Sequence, residues 1–214
     1  MKLSANEIYQ TSRKACLALG LTHDRAEDIA HATNCLHAFG FQGCQLLYQM
    51  LNRLEQERPN RDILDIEIKE NTLYVRQFHP AFEGVAIIDW LIAADKQAVV
   101  YIEGLTHPLV FSGLICHAAS RYQLGFLLAD DKQDQSVLIP EKDGRVVLDC
   151  SHFADTVTLT KTGPLEQTLS WPSVHSDADK RCFSKLEELA HQTYVPETEL
   201  SRLSGAGAGL LDND

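Results

Sequence analysis

Two short apolar runs, Ala98-Val99-Val100-Tyr101-Ile102 and Gly125-Phe126-Leu127-Leu128, flank a stretch of helical spacing from Phe111 to Tyr122. Each run is too short for a buried helix, and each reads as a buried strand. A strand–helix–strand succession favours a parallel pair joined by a right-handed crossover. The middle of the chain is therefore read as α/β.

The residues before it are helical. Ser4-x-x-Glu7 forms a capping box, and the helix it opens stops at Gly20, where a left-handed cap fits. A second helix is predicted from Thr22 to Phe39, with Ala26, Ile29, Ala30, Thr33 and Leu36 on one face and Gly40 at its end. A third carries Leu46, Leu47, Met50, Leu51 and Leu54 at helical spacing. After Pro59-Asn60, the alternation of Leu64, Ile66 and Ile68, followed by Glu70-Asn71 and Leu73-Tyr74-Val75, predicts a hairpin with one wet face.

An amphipathic helix follows Pro80, through Val85, Ile88, Trp90, Leu91 and Ala94. Towards the C-terminus, Val137–Ile139 and Val146–Leu148 flank the turn Lys142-Asp143-Gly144 and suggest a second hairpin. A strand is expected at Val157–Thr160, and helices at Asp177–Gln192 and Pro196–Leu203. The fold class is a mixed sheet with flanking helices behind a helical N-terminal third. Residues 1–204 are read as a single domain, helical over 1–57 and α/β over 62–204, with 205–214 as a flexible tail.

Composition narrows the partners. Nineteen Lys+Arg against thirty Asp+Glu leave a net charge of −11, which repels phosphate backbones and anionic lipid. Nucleic acid and membrane are not expected partners, and no apolar run approaches the roughly 18 residues of a membrane span. The six cysteines are scattered without a CxxC, and the opening residues lack the apolar segment of a signal peptide. Reduced thiols and a cytoplasmic location are expected.

Three positions stand out for chemistry. His107, in Gly104-Leu105-Thr106-His107-Pro108, lies on the loop after a buried strand, where α/β sheets place ligands. An imidazole there can exchange a proton near neutrality, or merely cap the helix that follows. Asp149 ends another predicted strand and could orient a histidine or a ribose hydroxyl, or cap a turn. His31 and Cys35, four apart on a helix, could share a metal with Cys16, Cys44, His117 or His152. That spacing is non-specific, packing explains such residues better, and no metal is expected. Gly205-Ala206-Gly207-Ala208-Gly209 neither follows a strand nor opens a helix, so it reads as tail rather than phosphate loop.

Two stretches resemble the malate/L-lactate/sulfolactate dehydrogenase family. One runs from Gly20-Leu21 to Leu36-His37-Ala38-Phe39-Gly40-Phe41-Gln42-Gly43-Cys44-Gln45 and is similar to a helix leading into an R-G-x-D-S-H-G motif. The other, Val100-Tyr101-Ile102 through His107 and Ser112 to Gly125-Phe126, is similar to a segment containing S-N-H-F-G. Leu148-Asp149-Cys150-Ser151 is a weaker echo of a later element. The resemblance implies a nicotinamide-dependent fold that is not of the Rossmann type, and a homodimer. In its register the motif histidine falls on Cys44, the aspartate on Gln42 and the arginine on Phe39, while His107 keeps the second histidine. The M-K-L-S-x-N-E opening and G-A-G-A-G-L-x-D-N-D ending resemble a bacterial family of unknown function and similar length.

Hydride transfer from a hydroxy acid needs a base for the hydroxyl proton and a cation for the carboxylate. Cys44 and Phe39 occupy those positions, so a non-catalytic small-molecule binder or accessory protein ranks first. No cofactor is expected, NAD(P) being implied by the resemblance alone. An enzyme of altered chemistry using His107, Asp149 and perhaps Cys44 as a thiolate–imidazole pair ranks second. An NAD(P)-dependent 2-hydroxy-acid oxidoreductase with His107 as base ranks third.

Overall fold

The computed structural model describes residues 1–57, 65–130, 136–139, 156–165 and 176–193. The predicted hairpin arm Val146–Leu148, Asp149, the helix Pro196–Leu203 and the Gly/Ala tail lie outside the described residues.

Strand β1 (Lys2–Leu3) leads into helices α1 (Ala5–Ala18), α2 (His23–Ala38) and α3 (Gly43–Glu57). Both halves of the predicted capping box are formed: the Ser4 hydroxyl accepts the Glu7 N–H, and the Glu7 carboxylate accepts the Ser4 N–H. Gly20 at φ 82 and Gly40 at φ 81 turn the chain out of α1 and α2 through the left-handed region, where a Cβ would be strained.

The hairpin is formed by β2 (Ile66–Lys69) and β3 (Thr72–Val75). A π-helical turn, Pro80–Gly84, and α4 (Val85–Ala93) carry the chain to β4 (Val99–Glu103), which pairs in parallel with β3. Helix α5 (Pro108–Tyr122) then leads to β5 (Leu124–Asp130). Next come β6 (Ser136–Ile139), β7 (Thr156–Pro164), β8 (Ser176–Asp177) and α6 (Lys180–His191).

The main sheet has six strands in the order β2-β3-β4-β7-β5-β6. This corrects one expectation from the sequence. β4 and β5 run in the same direction but are not neighbours, because β7 lies between them, antiparallel to both. The parallel pair is β3 and β4, joined through the Pro80–Ala93 helical segment. Periodicity shows that a strand exists, whereas its neighbour is chosen by a segment about thirty residues further on.

Alternation along the strands settles the faces. Leu73, Val75, Val100, Ile102, Phe126, Leu128, Val157 and Leu159 are buried. Tyr74 and Tyr101 stack on the other side, with Tyr101 exposed. Helices α4 and α5 pack on the sheet, α2 packs on α5 with α1 and α3 beside it, and α6 closes against α1 and α3. A single apolar cluster runs through all of these, from Leu3 to Leu189. Gly113 permits a close approach of α5 to α2: a Cβ there would stand 2.9 Å from the Ala32 carbonyl oxygen. No helix among the described residues is long and apolar enough to cross a membrane.

Candidate functional site

The register places the C-terminal ends of β3, β4 and β5 at one edge. Val75 is opposite Ile102, Glu103 is opposite Thr156, and Asp130 is opposite the adjoining Val157. His107 lies just beyond this edge as the N-cap of α5, as its sequence position predicts. Its imidazole ring centre is 5.7 Å from that of His79, which leads into the π-helical turn. His79 is fixed by two local bonds: its Nδ1 accepts the Ala81 N–H, and its backbone N–H donates to the Glu83 carboxylate at 2.8 Å. Thr106 donates to the Phe78 carbonyl and ties the two loops together. Gln77 at φ 53 and His107 at φ 51 both sit in the left-handed region, which is costly for residues with a Cβ and gathers at functional sites. Asp130, buried at the end of β5, is a further carboxylate at this edge.

Cys44 is elsewhere. It is 1% exposed, and the imidazole that touches it belongs to His37, whose Nε2 lies 3.2 Å from Sγ. The sequence alone pairs it with His107. The same nitrogen accepts the Cys44 N–H at 3.1 Å, so His37 serves as an acceptor for the first turn of α3. Burial pushes the Cys44 thiol up to about 12 and holds His37 down to about 4. Near neutrality the pair is a thiol beside a neutral imidazole, the reverse of an activated nucleophile. Gly43 makes this contact possible, since a Cβ would come within 2.5 Å of the Thr33 carbonyl oxygen and 2.9 Å of the His37 ring.

Of a third group of residues, the sequence singled out only His31 and His117, as members of a non-specific metal set. A cleft of about 200 Å³ opens between α2, α4 and α5, floored by Val85, Ile88, Leu114 and Ala118. Asp28, Asp89, His117, Arg121 and Tyr122 form its walls. His117 Nε2 lies 3.7 Å from Asp28 Oδ1, and the His117 ring stacks on His31 at 4.5 Å. Burial, then the neighbouring His31 and Arg121, hold His117 down to about 4. Burial raises the Asp28 carboxyl above the ordinary range, against the pull of Arg121. Burial thus favours the neutral form of two adjacent groups lining one cleft, which makes the cleft a candidate site. The sequence signal was slight: one histidine in the apolar run of α5 and one aspartate before Ile29 on α2. Their meeting depends on the packing of the two helices.

His31 and Cys35 do not converge, since His31 reaches the His117 stack while Cys35 is buried in the core. Among the described residues, no three His, Cys, Asp or Glu side chains are placed to hold a metal ion.

Residues 3–73 match the model of a family described as a protein of unknown function, DUF3726. A malate dehydrogenase from Entamoeba histolytica is similar in structure over 64% of this chain, at 14% sequence identity and a TM-score of 0.48. The chain spans 43% of that dehydrogenase. No curated protein matches the sequence.

Proposed function

We propose that this chain is a non-catalytic small-molecule binder whose ligand occupies the cleft between α2, α4 and α5. The observation that carries the reading is an apolar floor beneath a half-buried carboxylate, an imidazole and a guanidinium. Apolar walls with a few convergent polar groups are the usual build of a ligand site. The neutral, buried state of Cys44 supports the absence of the hydroxy-acid chemistry that the sequence resemblance implies. Short-chain amines, carboxylates and alcohols, screened by methyl NMR, test the reading. At least one class should shift the methyl signals of Val85, Ile88 and Leu114, and Ala118→Phe should remove the shift by filling the cleft. Silence from every class would remove the reading.

A second reading, an enzyme of altered chemistry, rests on the left-handed backbone of His107 and its approach to His79. It requires turnover that His107→Ala abolishes and Asp28→Asn does not. We expect neither nicotinamide cofactor to support oxidation of malate, lactate or sulfolactate, as followed by absorbance of the reduced cofactor. Measurable oxidation would favour the NAD(P)-dependent oxidoreductase over the binder.

A further inference from the structure

The charges around the cleft are unequal. Asp24, Glu27 and Asp28 on α2 and Asp89 on α4 act on this site, and Arg121 on α5 opposes them. Of these, Glu27 is ion-paired with Arg13 at 3.2 Å, and Arg25 lies over the Phe82 ring. The two stacked imidazoles add no charge at neutral pH, because burial lowers the titration of both His31 and His117. Asp28 is thus a carboxylate partly withdrawn from water with too little positive charge beside it, and a bound cation would relieve it.

The acceptors are arranged for such a cation. Asp28 Oδ1 and His117 Nε2 are too far apart, at 3.7 Å, to hydrogen-bond each other well. An ammonium donates three hydrogen bonds; Asp28 Oδ1 and His117 Nε2, the latter buried without a hydrogen-bond partner among the described residues, can accept two, and Asp89 lines the same cleft. Among the described residues Arg121 has no carboxylate within ion-pair distance, and it stands on the cleft wall over Tyr122. It is positioned for a ligand carboxylate. A volume of about 200 Å³ holds roughly seven water-sized groups, at about 30 Å³ each.

Resting on the reading of the cleft as a ligand site, we propose that its ligand is a small primary amine with a short apolar body, completed by a carboxylate. That is a zwitterion the size of an apolar amino acid. The ammonium meets Asp28, Asp89 and His117, the carboxylate meets Arg121, and the apolar body covers Val85, Ile88, Leu114 and Ala118.

Three probes dissect this: L-leucine, 3-methylbutylamine, which lacks the carboxylate, and 4-methylpentanoate, which lacks the amine. Calorimetry should give leucine a Kd below about 1 mM, the amine a weaker one, and the acid none. Asp28→Asn and the more exposed Asp89→Asn should each weaken leucine and the amine, by roughly tenfold for Asp28, as expected when a charged hydrogen bond is lost. Arg121→Gln should weaken leucine and should hold or strengthen the amine, because it removes the cation that opposes Asp28. Affinity for leucine should fall as pH is lowered from about 7 towards 4, because protonating Asp28 and His117 removes the acceptors. An acid that binds as well as leucine, or an affinity that rises on acidification, overturns the amine assignment while leaving the cleft a ligand site. The amine assignment is also overturned if leucine and the amine both fail while other classes shift the floor methyls. If nothing shifts them, the cleft reading falls as well.

Discussion

Gly43 and His37 show how much one residue can hold at the junction of α2 and α3. The missing Cβ at Gly43 lets the start of α3 lie against the Thr33 carbonyl and the His37 ring. Gly43→Ala forces that contact apart and should cost about 1–3 kcal/mol, the usual range for overpacking, as measured by urea unfolding. His37 has a pH signature. Its titration in the folded chain is held from 6.5 down to about 4 by burial, and His117 is lowered to about 4 in the same way. The unfolded chain therefore takes up these protons first on acidification. Their contribution to stability is complete above about pH 6.5 and is lost as pH falls towards 4. His37→Gln keeps an acceptor for the Cys44 N–H, and should flatten the pH dependence of the unfolding midpoint over this interval. An unchanged slope would mean that His37 does not carry this dependence.

At the scale of elements, the junction of β4 and α5 separates strain kept for a site from strain kept for packing. His107 adopts φ 51 as the N-cap of α5, yet its side chain makes no capping hydrogen bond to the helix. Glycine reaches this backbone region without the roughly 1–2 kcal/mol penalty of an L side chain. His107→Gly should therefore leave the melting temperature unchanged or raise it. A clear fall would show that the imidazole is a packing element, and would weaken the enzyme reading. The helices themselves were legible because their signals are local: a capping box, glycines at two exits and apolar residues at helical spacing. β3 and β4 were legible as strands for the same reason. Their order in the sheet was not, since β7 inserts between β4 and β5 from much later in the chain.

For the whole molecule, assembly is the open property with a physical basis in the fold. The apolar faces of α1, α2 and α3 are spent inside the chain's own core. The surface left for a second copy includes Ile66 and Ile68 on the edge strand β2, with Ile68 59% exposed, and the exposed Tyr101. We expect a homodimer burying more than about 1,000 Å², with a mass near twice 23.9 kDa by light scattering. A monomeric mass at micromolar concentration removes that expectation, and with it the dimer that the sequence resemblance implies.

By itself the sequence determined the α/β class, the helical N-terminal third, the hairpin and the position of His107 at a strand end. Each of these rests on interactions within a few residues, and spacing records such interactions directly. The tertiary structure decided which strands are neighbours, that His37 and not His107 meets Cys44, and that Asp28 meets His117 in a cleft. Those contacts join residues far apart in the chain, as Asp28 and His117 are at 89 positions. They are selected by how apolar faces pack together, and a linear pattern does not contain that geometry.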